Sequence, residues 1–197
     1  MQETRRTPKQ TRARVTVDAV LDAVVRIVKR EGFAAVTTNR IAAVAGVSIG
    51  SVYQYFPNKA AIFAALHDRH VREMSRRIDE ALVDHASASL EDLVRALVTA
   101  MVDAHAQDPE LHDVLTNEVP NRGGPRAFQS RLRDALRLAL AAREHLKPRQ
   151  MERALFVLPN LIEAFAHGVA ADRDGLSRTA AREEAVRATL AYLRACR

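Results

Sequence analysis

The stretch from Thr37 to Lys59 holds the densest set of side chains that can do chemistry in this chain. Ser48, Ser51, Tyr53 and Tyr55 supply hydroxyls, Ile49 an apolar contact, Gly50 a point of close backbone approach, and Lys59 a charge. An ordinary surface helix would carry Glu and Lys here, yet residues 49–55 contain no acidic side chain. Hydroxyls of this kind bond phosphates and base edges, and a tyrosine ring edge meets a thymine methyl. The chemistry is recognition, not turnover. No Gly-rich phosphate loop and no nucleophile elbow occurs, and the single cysteine, Cys196, makes a Cys-His enzyme a poor fit. No enzyme is expected. His67 with His70, and His105 with His112, are imidazole pairs without a complete ligand set at metal spacing, so neither metal nor cofactor is expected.

Two short helices must position these groups. Thr37 or Thr38 can cap the first, and Ile41, Ala42 and Ala45 give it an apolar stripe. Gly46 supplies a left-handed stop, Val47 fills the corner, and Ser48 caps the second helix. That helix spans about Ile49 to Tyr55 and ends before Pro57, whose preceding residue disfavours helix. Two helices joined by about three to four residues including Gly make a helix-turn-helix. Its second helix lies in the major groove of DNA. Lys59 opens the next helix, where a cation meets the positive dipole end, and a phosphate partner would account for it. A packed helical hairpin with half-buried tyrosines is the plainer alternative. It leaves the short lengths, the hydroxyl run and the missing acids unexplained.

Thr37-Thr38, Ile41-Ala42, Ala45-Gly46-Val47-Ser48, Gly50-Ser51, Tyr53, Tyr55-Phe56 and Lys59 together resemble the signature of the tetracycline-repressor (TetR-type) family of bacterial regulators. The match covers roughly residues 16 to 66, in register and without a gap. The resemblance implies that Thr38 and Asn39 start the helix that touches the DNA backbone. It places Ile49, Gly50, Ser51 and Tyr53 at recognition-helix positions, with Ser48 at its cap. Tyr55 falls at a place often held by His or Tyr, and Lys59 at a phosphate contact. Beyond about residue 70 the resemblance is architectural.

Charge points the same way. The 197 residues hold 30 Lys+Arg and 24 Asp+Glu, a net of +6. Residues 1–60 hold 10 basic and 4 acidic residues, and residues 61–197 hold 20 of each, so the whole excess lies with the motif. That is the electrostatic footprint of a polyanion partner. Residues 1–15, with Arg5, Arg6, Lys9, Arg12 and Arg14, read as a disordered basic arm able to follow phosphates or a minor groove. The arm lacks the apolar core of a signal peptide, and no run approaches the roughly 20 apolar residues of a membrane span. One cysteine gives no disulfide framework. A soluble, cytoplasmic protein without membrane contact is expected.

The pattern predicts an all-α chain of about nine helices. Helix 1 is predicted from Thr16 to Gly32, with Val17, Val20, Leu21, Val24 and Val28 as its stripe. Helix 4, capped by Asn58, is predicted to reach about His85 and to span about 40 Å. Helices follow at about 89–106, 109–118, 125–145, 149–171 and 178–195, with a break from Pro120 to Pro125. The expected domains are the arm, a helix-turn-helix domain over 16–60, and a helical effector-binding and dimerisation domain over 61–197.

Helix 9 presents Val186, Leu190 and Leu193 on one side and Ala181, Ala185, Ala188 and Tyr192 on another. One face can cover its own core while the other meets a partner, so helices 8 and 9 are expected to form a homodimer about a two-fold axis. A dimer also suits a double-stranded palindromic operator. Pro159 is expected to kink helix 8 beside Phe156, Asn160, Glu163 and His167. Met101, His105, Asn117 and Phe128 would complete a pocket for a small, largely apolar effector, since the family's helices 4 to 8 enclose such a cavity. The function expected is a ligand-responsive transcriptional repressor. The rivals are a helical interaction or scaffold protein with a basic nucleic-acid-binding arm, and an all-helical enzyme.

Overall fold

The structure is a computed structural model that describes residues 8–115, 124–143, 146–170 and 177–196. Among the described residues it holds nine α-helices and no strand: α1 (Pro8–Glu31), α2 (Thr38–Ala45), α3 (Ile49–Tyr55), α4 (Lys59–Asp84), α5 (Leu90–Gln107), α6 (Pro109–Asp113), α7 (Gly124–Arg143), α8 (Pro148–Ala170) and α9 (Arg178–Cys196). A short 3-10 turn over Phe33–Ala35 links α1 to α2. None of these helices is long and apolar enough to cross a membrane.

The chain divides into two compact units, Met1–Asp68 with Glu110–Arg122, and Arg69–Pro109 with Gly123–Arg197. The first has its own core. Val20, Leu21, Val24, Ile27 and Val28 of α1 meet Ile41 and Ala42 of α2, Val52 of α3 and Ile62, Phe63 and Leu66 of α4. The first turns of α4 therefore side with this unit, so its edge falls at Asp68, later than the expected 60. Leu111, Val114 and Leu115 join the same core, which spacing along the chain did not predict.

The second unit is a helical bundle. Met74 and Ile78 of α4 pack with Leu93, Leu97, Val98 and Met101 of α5, Leu132, Leu136 and Leu140 of α7, Leu155, Leu158 and Ile162 of α8, and Val186 and Leu193 of α9. Each set recurs at helical spacing, so every helix offers one apolar stripe. Thr189 is buried on α9 without penalty, because its hydroxyl donates to the Ala185 carbonyl at 2.7 Å.

The structure bears on four expectations. First, α1 reaches back to Pro8, so residues 8–15 are helical, not a disordered arm. Thr16 does not start the helix; its hydroxyl donates to the Arg12 carbonyl at 3.1 Å, one turn behind it. Proline is tolerated at the first helical position and no breaker follows it. Residues 1–7 lie outside the described residues. Second, α8 is one continuous helix from Pro148 to Ala170 with Pro159 inside it. Third, the helix predicted over 109–118 is present as α6 to Asp113 and a π turn at Val114 and Leu115, and residues 116–118 lie outside the described residues. Fourth, Ala185 of α9 is fully buried in its own bundle with Val186 and Leu193, so it is not part of a second, outward face.

Candidate nucleic-acid interface

Local capping builds the helix-turn-helix. The Thr37 hydroxyl oxygen accepts the Arg40 amide at 3.1 Å and starts α2. Gly46 ends α2 in the left-handed region, with φ 69° and ψ 31°. The Val47 amide then bonds back to the Ala42 carbonyl at 3.1 Å, closing a Schellman-type stop. Ser48 accepts the Ser51 amide at 3.0 Å, and the two serine hydroxyls lie 2.8 Å apart. The turn from Gly46 to Ser48 is thus determined at both ends by residues next to it.

Capping fixes the roll of α3. Val52 and, just past the helix, Phe56 point into the core. Ile49, Gly50, Tyr53 and Gln54 are exposed, and Tyr53 retains 51% of its surface. The Tyr53 hydroxyl lies 3.4 Å from the Thr38 hydroxyl, which joins the outer ends of α2 and α3. Thr38 is half-buried, Asn39 is exposed, and Ser51 is half-buried beneath the cap. Tyr55 is half-buried and packs on the core, so its ring serves packing as well as display. Large apolar and aromatic side chains left in solvent on a short, rigid helix are what a groove-reading surface requires.

Two groups hold this surface in ways that the sequence did not disclose. Arg40 forks onto Glu31 and Arg26 donates to the Val44 carbonyl at 3.0 Å, so α1 grips α2 twice. Lys59 sits 4.6 Å from the Phe33 ring centroid and 5.5 Å from that of Phe63, and the two rings meet edge to face. This cation–π cradle gives the Lys59 ammonium an intramolecular partner. The unfavourable dipole position that called for a phosphate is offset within the protein. The start of α4 is capped by Asn58, whose Oδ1 accepts the Ala61 amide at 2.9 Å.

The residues expected to line an effector pocket are brought together only in part. Met101 and His105 are buried on α5. His167 on α8 meets His105 edge to face, with ring centroids 4.7 Å apart. Glu163 accepts a hydrogen bond from Gln129 at 2.8 Å. Phe156 and Asn160 instead occupy the outer side of α8, where Phe156 keeps 68% of its surface. The Asn160 amide folds back to donate to the Phe156 carbonyl at 2.6 Å. The helix is continuous through Pro159, between these two residues. Asn117 and the Phe128 side chain lie outside the described residues. A hollow of about 260 Å³ lies between α5 and α9, walled by Glu91, Arg95, Glu183, Val186, Arg187, Leu190 and Arg194, so its lining is mostly charged.

A helix-turn-helix module followed by a helical bundle defines the class. Residues 20–66 match the family described as bacterial regulatory proteins, tetR family. Residues 89–193 match the tetracyclin repressor-like C-terminal domain. The chain belongs to the tetracycline-repressor (TetR) family. It is 31% identical over 98 residues to the nucleoid occlusion factor SlmA of Haemophilus ducreyi, covering 49% of this chain and 48% of that protein. It is 29% identical over 128 residues to an HTH-type transcriptional regulator of Mycobacterium tuberculosis, covering 65% of this chain and 62% of that protein. The chain thus spans about half the length of the first curated relatives it matches. Among solved structures, it superposes on SmeT, the repressor of the Stenotrophomonas maltophilia multidrug efflux pump SmeDEF. The TM-score is 0.67 at 21% identity, covering 91% of each chain. The FadR regulator of Bacillus subtilis, solved with stearoyl-CoA, matches with a TM-score of 0.67 at 18% identity over 87% of this chain and 96% of that one. These structural likenesses carry the fold.

Proposed function

We propose that this chain is a DNA-binding transcriptional regulator, a repressor that acts as a homodimer and releases its operator when a small molecule binds. The observation that carries the reading is the outer face of α3, where Ile49, Gly50 and Tyr53 stand in solvent on a helix capped at its start by Ser48 and held by a buried Val52. Thr38, Asn39, Ser48, Ser51, Tyr55 and Lys59 surround that face and supply backbone contacts. The concentration of positive charge in residues 1–60 supports a polyanion partner. Residues 8–14 then add their cations as part of α1 rather than as a loose arm.

One short helix reads too few bases, and a two-fold pair reads a palindrome. The outer surface of α8, with Phe156 exposed, and the neighbouring α9 supply the dimer face in this reading. The effector is a small, largely apolar molecule bound in the helical bundle near Met101, His105 and His167. It acts only through its differing affinity for the operator-bound and released states. A shift from 1:99 to 99:1 requires roughly 5.5 kcal/mol of preference. Helix α4 contributes residues to both compact units, which supports it as the element that carries the change.

The test is selection of genomic fragments by the purified full chain, followed by footprinting. Enriched fragments sharing a two-fold palindrome, protected over both halves, are expected. Recovery of fragments without a common sequence would refute operator recognition.

A further inference from the structure

The second unit buries a pair of imidazoles that DNA recognition does not use. His105 on α5 is 1% exposed, and His167 on α8 is half-buried beside it. A buried polar side chain in an apolar bundle is the informative exception, since a leucine would fill the same space without desolvating a ring. The neighbours of His105 on its own helix, Met101, Val102 and Ala104, are themselves buried and apolar.

The ring of His105 is set in one tautomer. Its Nδ1 lies 2.8 Å from the Met101 carbonyl oxygen, and a carbonyl only accepts. Nδ1 therefore carries the proton, and Nε2 of the neutral ring carries the lone pair. This is the arrangement in which a histidine presents Nε2 to a metal while a backbone carbonyl orients the ring from behind. One ring nitrogen of His105 and one of His167 lie within 4.8 Å of each other. Two imidazoles on one tetrahedral ion, each about 2.0–2.1 Å from it, sit about 3.4 Å apart, within reach of small side-chain rotations.

We propose that His105 and His167 form the protein half of a transition-metal site that takes an imidazole-preferring divalent ion such as Zn(II), Ni(II) or Co(II), the remaining positions being filled by water or by oxygen or nitrogen donors of a bound molecule. Imidazole suits this group of metals, whereas carboxylate-preferring Mg(II) and Ca(II) find no match in the pair. The inference does not depend on the DNA-binding reading, and its test contains no DNA.

The experiment is titration of the untagged, chelator-treated full chain with Co(II), followed by its visible absorption, and back-titration with Zn(II). One equivalent of Co(II) with a visible d–d band, displaced by Zn(II), is expected. His167→Gln should weaken binding by about tenfold or more, whereas His85→Gln at the end of α4 should leave it unchanged. The buried His105 is less suitable, since its replacement can unfold the bundle; His167→Gln is checked by circular dichroism. Absence of stoichiometric binding, or equal affinity in a folded His167→Gln, would overturn the site.

Discussion

The Arg40 guanidinium forks onto the Glu31 carboxylate, with Nη2 2.7 Å from Oε1 and Nε 3.0 Å from Oε2. The pair ties the first helix of the reading module to the last turn of α1. The two hydrogen bonds hold the Glu31 carboxyl below the usual carboxylate range. The pair is solvent-exposed, so it orients more than it stabilises. Glu31→Gln is expected to leave the thermal midpoint nearly unchanged while lowering operator affinity several-fold, because α2 and α3 lose one of two braces. Melting and DNA binding measured on the same preparation check this; unchanged affinity would show the fork to be dispensable.

Gly46 makes the turn, and its substitution separates backbone strain from crowding. A side chain there would meet nothing within 4 Å, so the cost of Gly46→Ala arises from the positive φ alone. That cost is about 1–2 kcal/mol. Gly46→Asn should recover part of it, since Asn tolerates the left-handed region. Denaturant unfolding of the three proteins gives the comparison, and equal stability of Ala and Gly would contradict the assigned turn.

Much of this module was legible because its signals are local. Thr37, Gly46 and Ser48 each act on amides or carbonyls within five residues, so the caps could be read one after another along the chain. Non-local arrangements were not legible. Nothing in the spacing joined Lys59 to Phe33, or Arg40 to Glu31, or brought Leu111, Val114 and Leu115 into the first core. The start of α1 was misread because Thr16 has the chemistry of a cap, yet it bonds backwards inside a longer helix. Phe156 and Asn160 were expected to face a pocket, yet both are exposed. The outward turn of Phe156 follows from which face of α8 the bundle buries.

That exposed phenylalanine gives a clean test of the dimer. Phe156→Glu alters a side chain with few intramolecular contacts, so its cost to the folded protomer should stay within about 0.5 kcal/mol. If α8 meets a second copy, the charge should shift the protein to monomers in light scattering. A dimer of undiminished affinity would remove α8 from the interface. Truncating α9 would not serve, because Val186 and Leu193 belong to the protomer's own core and losing each costs a few kcal/mol.

Acid should loosen the second half of α4. Arg76 hydrogen-bonds Glu73 and pairs with Glu80, and Arg77 also reaches Glu73. The Arg76 hydrogen bond, opposed in part by desolvation, lowers the Glu73 pKa to about 2. A depressed folded pKa contributes stability above the ordinary value of 4.5, and that contribution is lost as pH falls from there towards 2. Solvent screening keeps the effect small. Glu73→Gln should flatten the stability profile between pH 4.5 and 2 while leaving its shape above pH 6 unchanged; an identical acid slope in the variant would contradict the assignment.

The central claim is that the outer face of α3 reads DNA. The most direct measurement is fluorescence anisotropy of the full chain on a selected operator and on a scrambled duplex, across a salt series, with Tyr53→Ala alongside. The account predicts saturable binding to the operator, much tighter than to the scramble and falling steeply with salt. It predicts that Tyr53→Ala, folded and melting like the parent, loses most of that preference. Equal binding of operator and scramble by the parent, or an unaltered preference in Tyr53→Ala, would contradict it.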